Sequence, residues 1–383
     1  MRKTYFVLWL INLLGWCFYS FTQIDLNLTL TKVPILNAFF KSFQYIGYFQ
    51  RPLSTYLFLF LLASNFILYL LLLRDFSQGK VTRRWFWRLI LSSCLVLFFS
   101  YPAFSYDLFN YMFDAKTIIY YHANPWISKP LDFTGDPWLL FMRWTHRPSV
   151  YPAGWIFLSL PFYLLGLNFF LTILFSFKLL MALSYLGTIW VMEKILTIQK
   201  VKASFFLLAI FALNPLIIIE SLISAHNDIV MIFFVVLGLW LGMQEKRLLG
   251  ILSLILSGTI KYLGAGLSPV FFWSFLRKKP LALLELRIAL FLMVGGLIYI
   301  VQKIEIQPWY LIWLLPLLVI AQIRILFPVA IAFSIGLLLR YTPFLFLGNW
   351  DPPVPTYKLW LTLTPLTIGI LFVLIKNKLW LKK

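Results

Sequence analysis

Long apolar runs separated by short polar or basic gaps recur along almost the whole chain, near residues 5–22, 53–73, 86–104, 154–192, 203–219, 229–243, 248–276, 281–301, 309–323, 327–345 and 359–375. An α-helix needs about 20 apolar residues to cross a membrane, so most of these runs predict one spanning helix each and a bundle of about 10 to 12. Two runs have lengths that do not suit a single span. Residues 154–192 are too long for one and too short for two, with Pro161, Gly166 and Asn168 as break points, so a partial insertion followed by a full helix fits. Residues 248–276 begin and end beside basic residues and must turn back, as two short helices meeting at Thr259-Ile260-Lys261-Tyr262. Irregular backbone at membrane depth needs protein or a water-filled cavity around it, so a cavity is expected near Lys261.

Composition agrees with this pattern and narrows it. Of 383 residues, 62% are hydrophobic, 19% aromatic and only 12% charged, against about 25% charged in soluble domains. Soluble enzymes, coiled coils, disulfide scaffolds and disordered chains are excluded. The expected fold class is an all-α polytopic membrane protein, a single domain over residues 1–383 with no separate soluble part. Cys17 and Cys94 both fall within apolar runs and build neither a disulfide framework nor a cysteine metal site. The first run lacks a small-residue cleavage pattern and continues into Trp16, Phe18, Tyr19 and Phe21, which reads as a retained signal-anchor helix.

The net charge of +20 is distributed by topology and not as a nucleic-acid surface. Most of the basic residues sit in alternate gaps: Arg2 and Lys3; Arg74, Lys80, Arg83, Arg84 and Arg88; Lys194, Lys200 and Lys202; Lys246 and Arg247; Arg277 to Lys279 and Arg287; Arg324; and Lys376, Lys378, Lys382 and Lys383. By the positive-inside rule these gaps and both termini face the cytoplasm of a plasma-membrane protein, leaving Lys178 inside a span. The acidic residues show the opposite bias. Asp25, Asp107, Asp114, Asp132, Asp136, Glu220, Asp228, Glu305 and Asp351 fall on or near the outer side, so the working surface is expected to be extracytoplasmic.

The longest polar stretch, 105–153, is outer by this count and reads as the catalytic loop. Asp107, Asn110, Tyr111, Asp114, Thr117 and Tyr121 share one helical stripe, while Leu108, Met112, Ala115 and Ile119 share another. That pattern predicts a juxtamembrane helix lying along the membrane surface and stopped by Asn124-Pro125-Trp126. A carboxylate at the rim of an outward cavity suits a general base that takes the proton of an attacking hydroxyl. A departing phosphate needs cationic or hydrogen-bonding groups, for which Arg143, His146, Arg147, His226, Lys261 and Arg340 are the candidates. Asp107 equally suits a plain helix N-terminus, with Ser105 sharing the capping.

Two further clusters lie on the same side. Glu220, His226, Asn227 and Asp228 sit between hydrophobic helices, where ionisable groups are costly and by default functional; Asn227-Asp228 also reads as an ordinary helix cap. Gln307-Pro308-Trp309-Tyr310 opens another span, where Trp and Tyr also serve as an interfacial belt. His226 and Asp228 as a metal pair have little support, since the three histidines show no paired spacing. No metal or cofactor is required by the sequence, and a divalent ion has no independent support in it.

In order along the chain, Ser105-Tyr106-Asp107 to Asn124-Pro125-Trp126, Tyr151-Pro152-Ala153-Gly154, Asn214-Pro215 to His226-Asn227-Asp228, Lys261-Tyr262 and Pro308-Trp309-Tyr310 resemble the GT-C superfamily of polyprenol-phosphate-sugar-dependent glycosyltransferases. Within it they resemble the bacterial, mycobacterial-type mannosyltransferases, over about residues 100–320. The resemblance implies a GT-C-like bundle and an inverting transfer of a sugar, mannose being expected. The donor is a polyprenyl-monophosphate lipid and the acceptor a hydroxyl on a glycan, glycolipid or protein at the outer membrane face. It implies Asp107 as catalytic base; Asn110, Tyr111 and Asp114 positioning the acceptor; His226, Lys261 and Arg147 holding the lipid phosphate; and Asp228 orienting His226 or the sugar hydroxyls. Asn227, Trp309 and Tyr310 complete the substrate site. No nucleotide-sugar site is needed, in keeping with the lack of a Gly-rich phosphate loop. The rival reading is a lipid-linked sugar flippase or other transporter, whose broken helices also carry charges, but the two halves show no internal symmetry. An oligosaccharide ligase using a lipid diphosphate would call for more arginine in the outer loops.

Overall fold

The computed structural model describes residues 2–380, so Lys382 and Lys383, expected on the cytoplasmic side, lie outside the described residues. Among the described residues regular structure is entirely helical. The chain runs through α1 (Arg2–Ser20), α2 (Pro34–Phe49), α3 (Arg51–Ser77) and α4 (Arg83–Phe98), then α5 (Asp107–Ile119) and a long loop to α6 (Ala153–Leu165) and α7 (Phe170–Ile198). Next come α8 (Ser204–Ala212), α9 (Pro215–Ile218), which runs into a π-helical turn at Ile219–Ile223, α10 (Asp228–Met243), α11 (Arg247–Ile260) and α12 (Ser268–Arg277). The remainder is α13 (Leu283–Val301), α14 (Leu311–Ile320), α15 (Phe327–Leu339), α16 (Thr342–Leu347) and α17 (Val354–Trp380).

Six helical stretches are long and apolar enough to cross a membrane: Lys3–Gln23, Arg51–Ser77, Phe170–Ile198, Leu283–Val301, Arg324–Leu347 and Val354–Lys376. A seventh arises if α8 and Pro215–Ile223, bent by 54° at the Asn214-Pro215 break, count as one. The other apolar runs form helices of 10–17 residues, among them Ala153–Leu165, Asp228–Met243, Arg247–Ile260 and Pro308–Ile320. The run 154–192 breaks at Gly166-Leu167-Asn168, where Leu167 and Asn168 are left-handed (φ 49° and 60°), while Pro161 stays inside α6. The run 248–276 ends α11 at Ile260, passes through a 3₁₀ turn at Tyr262–Leu267 and resumes as α12.

The central element is α10, which packs against α7, α11 and α14. It meets α11 closely because both present glycine: a Cβ on Gly238 would stand 3.0 Å from the Gly250 carbonyl oxygen. Lys178, left within a span by the sequence, is buried in α7 and caps α4. Its ammonium donates to Leu97 O (2.9 Å), to Ser100 Oγ (2.7 Å) and to the Ser100 carbonyl, matching the negative end of that helix. Residues 34–49, which carry no long apolar run, nevertheless form α2, with Pro34 in its first turn.

The expected surface helix departs from the sequence reading. α5 is buried nearly all round: Leu108, Phe109, Tyr111, Met112, Phe113, Asp114, Ala115, Lys116 and Thr117 are all buried. The loop 120–152 folds back over the face expected to meet the interface, tied by the Lys116–Asp136 ion pair (2.5 Å) and by Tyr121, whose hydroxyl donates to Asp136 Oδ2 (2.6 Å). The helix also stops earlier than Asn124, at Ile119, and His122 turns left-handed (φ 52°).

Candidate active site

α5 begins at Asp107, whose carboxylate lies in the first turn but makes no capping hydrogen bond. Its backbone N–H donates to Ser105 Oγ (3.1 Å), and no side chain caps the helix. The serine shapes the local turn, and the Asp107 carboxylate, 23% exposed, faces a second segment of chain.

That segment is 219–228. Its π-helical turn widens the backbone so that Glu220 points inward, and Ala225 (φ 57°) reverses the chain in a conformation that costs a non-glycine residue about 1–2 kcal/mol. Together they deliver His226, fully buried, between two carboxylates: Nδ1 lies 3.6 Å from Asp107 Oδ2 and Nε2 lies 3.3 Å from Glu220 Oε2. Trp309 stacks on the imidazole (centroids 4.0 Å apart, 28° between planes), and the Tyr341 hydroxyl donates to Glu220 Oε1 (2.9 Å). Neither ring nitrogen of His226 makes an aligned hydrogen bond with the chain. The same holds for Glu220 Oε2, Ser221 Oγ, Ser224 Oγ and Asn227 Nδ2, all buried. Buried polar atoms are paired in the great majority of cases, so six without a partner in the chain, gathered in one short segment, make this segment a candidate site.

The next two residues take hydrogen bonds from distant parts of the chain. Asn227 Oδ1 accepts from the Tyr111 hydroxyl (3.1 Å) and does not cap α10. Asp228 accepts from Lys261 Nζ through both carboxylate oxygens (2.7 Å each) and from Trp313 Nε1 (2.5 Å). Lys261 reaches it because the break between α11 and the following turn lies at its position, in extended backbone. Tyr310 stacks on Trp313 (4.4 Å, 30°) and closes that side.

A cleft adjoins this cluster along the same face of α5. Asn110, Asp114, Trp144, Arg147, Ser149 and Tyr151 line it. Tyr151 packs edge-on against Tyr111 (4.8 Å), so the two tyrosines form the wall between the cleft and the His226 cluster. Burial pushes the Asp114 carboxyl up to about 7, against the opposing hydrogen bond from Ser149 Oγ to Oδ2 (2.6 Å).

Residues 27–277 match the MptA/B family, alpha-(1->6)-mannopyranosyltransferase, N-terminal domain. The chain belongs to this family. Comparisons with curated proteins and with solved structures each gave no match. The family's reaction is transfer of a mannosyl group, which calls for a sugar donor and an acceptor.

Of the residues singled out in the sequence of this mannosyltransferase-family chain, Asp107, Tyr111, His226, Asn227, Asp228, Lys261, Trp309 and Tyr310 fall in one neighbourhood. Asn110, Asp114 and Arg147 fall in the adjoining cleft. Two expected placements change. Arg147 stands with Asn110 and Asp114 and over the Trp144 ring (4.8 Å), not with His226 and Lys261, because the loop 120–152 folds over α5. Asp228 is taken up by Lys261 and Trp313 and does not orient His226. Two candidate cations are engaged elsewhere. Arg143 pairs with Asp25 (3.3 Å) and Arg340 with Glu305 (2.6 Å). Burial raises the Glu305 carboxyl, but the Lys358 hydrogen bond and the Arg340 charge outweigh it and hold the group below the usual carboxylate range.

The sequence reading places Glu220 in the 220–228 cluster without giving it a role, and it names neither Trp313 nor Tyr341. Trp313 sits one helical turn beyond Trp309, and that spacing was a usable signal. Tyr341 carries no local signal and lies, with Trp309 and Trp313, outside the matched stretch. Among the described residues no three His, Cys, Asp or Glu side chains group so as to hold a metal ion.

Proposed function

We propose that the protein is an inverting, polyprenyl-monophosphate-dependent mannosyltransferase of GT-C type, working at the extracytoplasmic face of the plasma membrane. In this reading its helices form the 10 to 12 crossings of such a bundle, the short helices pairing across their breaks, with both termini cytoplasmic. The observation that carries the site assignment is the meeting of the partly exposed Asp107 with the buried His226, whose ring nitrogens make no aligned hydrogen bond, and with the free Oε2 of Glu220, the Trp309 ring stacking on the imidazole.

The chemistry follows from the roles. Asp107 takes the proton of an acceptor hydroxyl as that oxygen forms a bond to C1 of the donor sugar. The bond from C1 to the phosphate oxygen breaks on the opposite face, and polyprenyl phosphate leaves with the electron pair. In this scheme His226 and Lys261 stabilise the charge that gathers on that phosphate, and Asp228 fixes the Lys261 ammonium in place. Asn110, Tyr111 and Asp114 run along α5 from Asp107 and position the acceptor, and a buried site holds both partners in line away from bulk water.

The test is transfer of radiolabelled mannose or glucose from the corresponding polyprenyl-phosphate sugar into membranes carrying wild type or Asp107→Asn at matched expression. Wild type is expected to transfer mannose and Asp107→Asn to lose about 10²–10⁴-fold. If neither transfers and lipid-linked sugar instead changes leaflet, the protein is a flippase.

A further inference from the structure

α4 rises about 24 Å between Arg83 and Phe98, and its end away from the Asp107 loop carries a feature that sugar transfer does not use. A cleft of about 490 Å³ opens there, lined by Arg83, Arg84, Trp87, Arg88 and Leu91. That is within the range of about 300–1,000 Å³ usual for small-ligand pockets. Its three guanidiniums are not equivalent. Arg83 is taken by Glu193 of α7 through two contacts of 2.6 and 3.1 Å, and the Trp87 indole N–H donates to the same carboxylate (3.3 Å). Arg84 and Arg88 are exposed and form no ion pair among the described residues. They stand one helical turn apart, so the cleft holds two uncompensated positive charges beside an indole.

The same face of the helix turns apolar toward its other end. Leu91, Leu95 and Phe99 follow Arg84 and Arg88 at steps of three and four. All three are exposed, whereas Phe86, Leu89, Ile90, Ser93 and Leu97, on the opposite face, are buried. From Arg88 to Phe99 the chain rises about 16 Å, close to half of the about 30 Å hydrocarbon core of a bilayer. Two free charges at the foot of an exposed apolar track one leaflet deep are complementary to a lipid, with an anionic phosphate at the arginines and an acyl chain along the leucines. A soluble phosphate leaves the track uncovered, and a polyprenyl tail is far longer than the track. We propose that this cleft and ridge bind one anionic glycerophospholipid, whose phosphate sits between Arg84 and Arg88. On the topology proposed above, the lipid belongs to the cytoplasmic leaflet, across the membrane from the transfer site. The site rests on the membrane reading and is independent of the transferase reading.

The test is native mass spectrometry of the full chain in detergent, titrated in turn with phosphatidylglycerol, phosphatidylcholine and glycerol 1-phosphate, with polyprenyl phosphate as competitor. Wild type is expected to retain one phosphatidylglycerol at concentrations about ten-fold or more below those needed for phosphatidylcholine, and to bind glycerol phosphate more weakly still. Arg84→Gln combined with Arg88→Gln should erase that preference; both side chains are exposed and unpaired, so the fold should hold, which the thermal midpoint checks. Lys200→Gln combined with Lys202→Gln, exposed on the same expected membrane side, should leave the preference whole. Equal retention of the two phospholipids by wild type overturns the proposal without any variant, and so does an unchanged preference in the Arg84/Arg88 variant. Polyprenyl phosphate that displaces the bound phosphatidylglycerol at equal or lower concentration would give the cleft to a donor-type lipid. Glycerol phosphate bound as tightly as phosphatidylglycerol would reduce it to a plain phosphate site. Either result rejects the phospholipid.

Discussion

Two buried carboxylates eight residues apart are treated in opposite ways. Asp228 is fully provided for: both oxygens receive the Lys261 ammonium, the Trp313 indole adds a third hydrogen bond, and the ion pair is locally neutral. Glu220 has one oxygen bound by Tyr341 and the other facing an imidazole without an aligned bond, amid unpaired Ser221, Ser224 and Asn227 groups. Each buried group left unpaired costs about 1–3 kcal/mol, a cost that a polar ligand removes on binding. On the proposed reading the difference separates framework from site: the first carboxylate holds α10 to the 261 turn and to α14, and the second stays open to a ligand.

The largest effect should come from breaking the satisfied pair. Asp228→Ala leaves Lys261 without its counter-charge, and removing one partner of a buried pair costs about 3–5 kcal/mol. Thermal unfolding in detergent should show a large drop in midpoint, and Asp228→Leu combined with Lys261→Met should lose less than Asp228→Ala alone. An Asp228→Ala protein of unchanged stability would erase the distinction drawn here. Glu220→Gln should behave the other way round. It keeps the size of the side chain and an acceptor for Tyr341, so the unfolding midpoint should barely move. Transfer should fall by about 10- to 100-fold, equivalent to about 1.4–2.7 kcal/mol of transition-state stabilisation. If stability falls and rate does not, Glu220 belongs with the framework.

The same contrast explains what could be read from the sequence. Helical class, apolar runs and the breaks near 166–168 and at 261 follow from hydropathy, Gly, Asn and charge, which are local properties. Asp107 and Asn227-Asp228 looked like helix caps because local pattern carries no information on where a side chain turns; only the folded chain shows that none of the three caps its helix. Lys261 was legible as a charge at a break, but its counter-ion comes from 33 residues away. Tyr341 meets Glu220 across 121 residues, a contact that no periodicity can encode. The burial of α5 was missed for a related reason: its polar stripe is matched by Lys116, Asp136 and Tyr121 from a loop whose course depends on tertiary packing.

Asp114 lies between the two extremes, with one oxygen bound by Ser149 and its carboxyl raised by burial to about 7, and it gives the smallest and most selective test. Because its pKa is raised above the unfolded value, the native state keeps a proton that the unfolded chain has already lost. Stability therefore falls as pH rises from about 4 toward 7 and levels off above that. Between about pH 6 and about pH 8 the wild-type protein should lose about 1 kcal/mol on this account. Asp114→Asn, which cannot titrate, should show a flatter midpoint over the same range. Parallel pH profiles for the two proteins would mean that the Asp114 proton is not held by the fold.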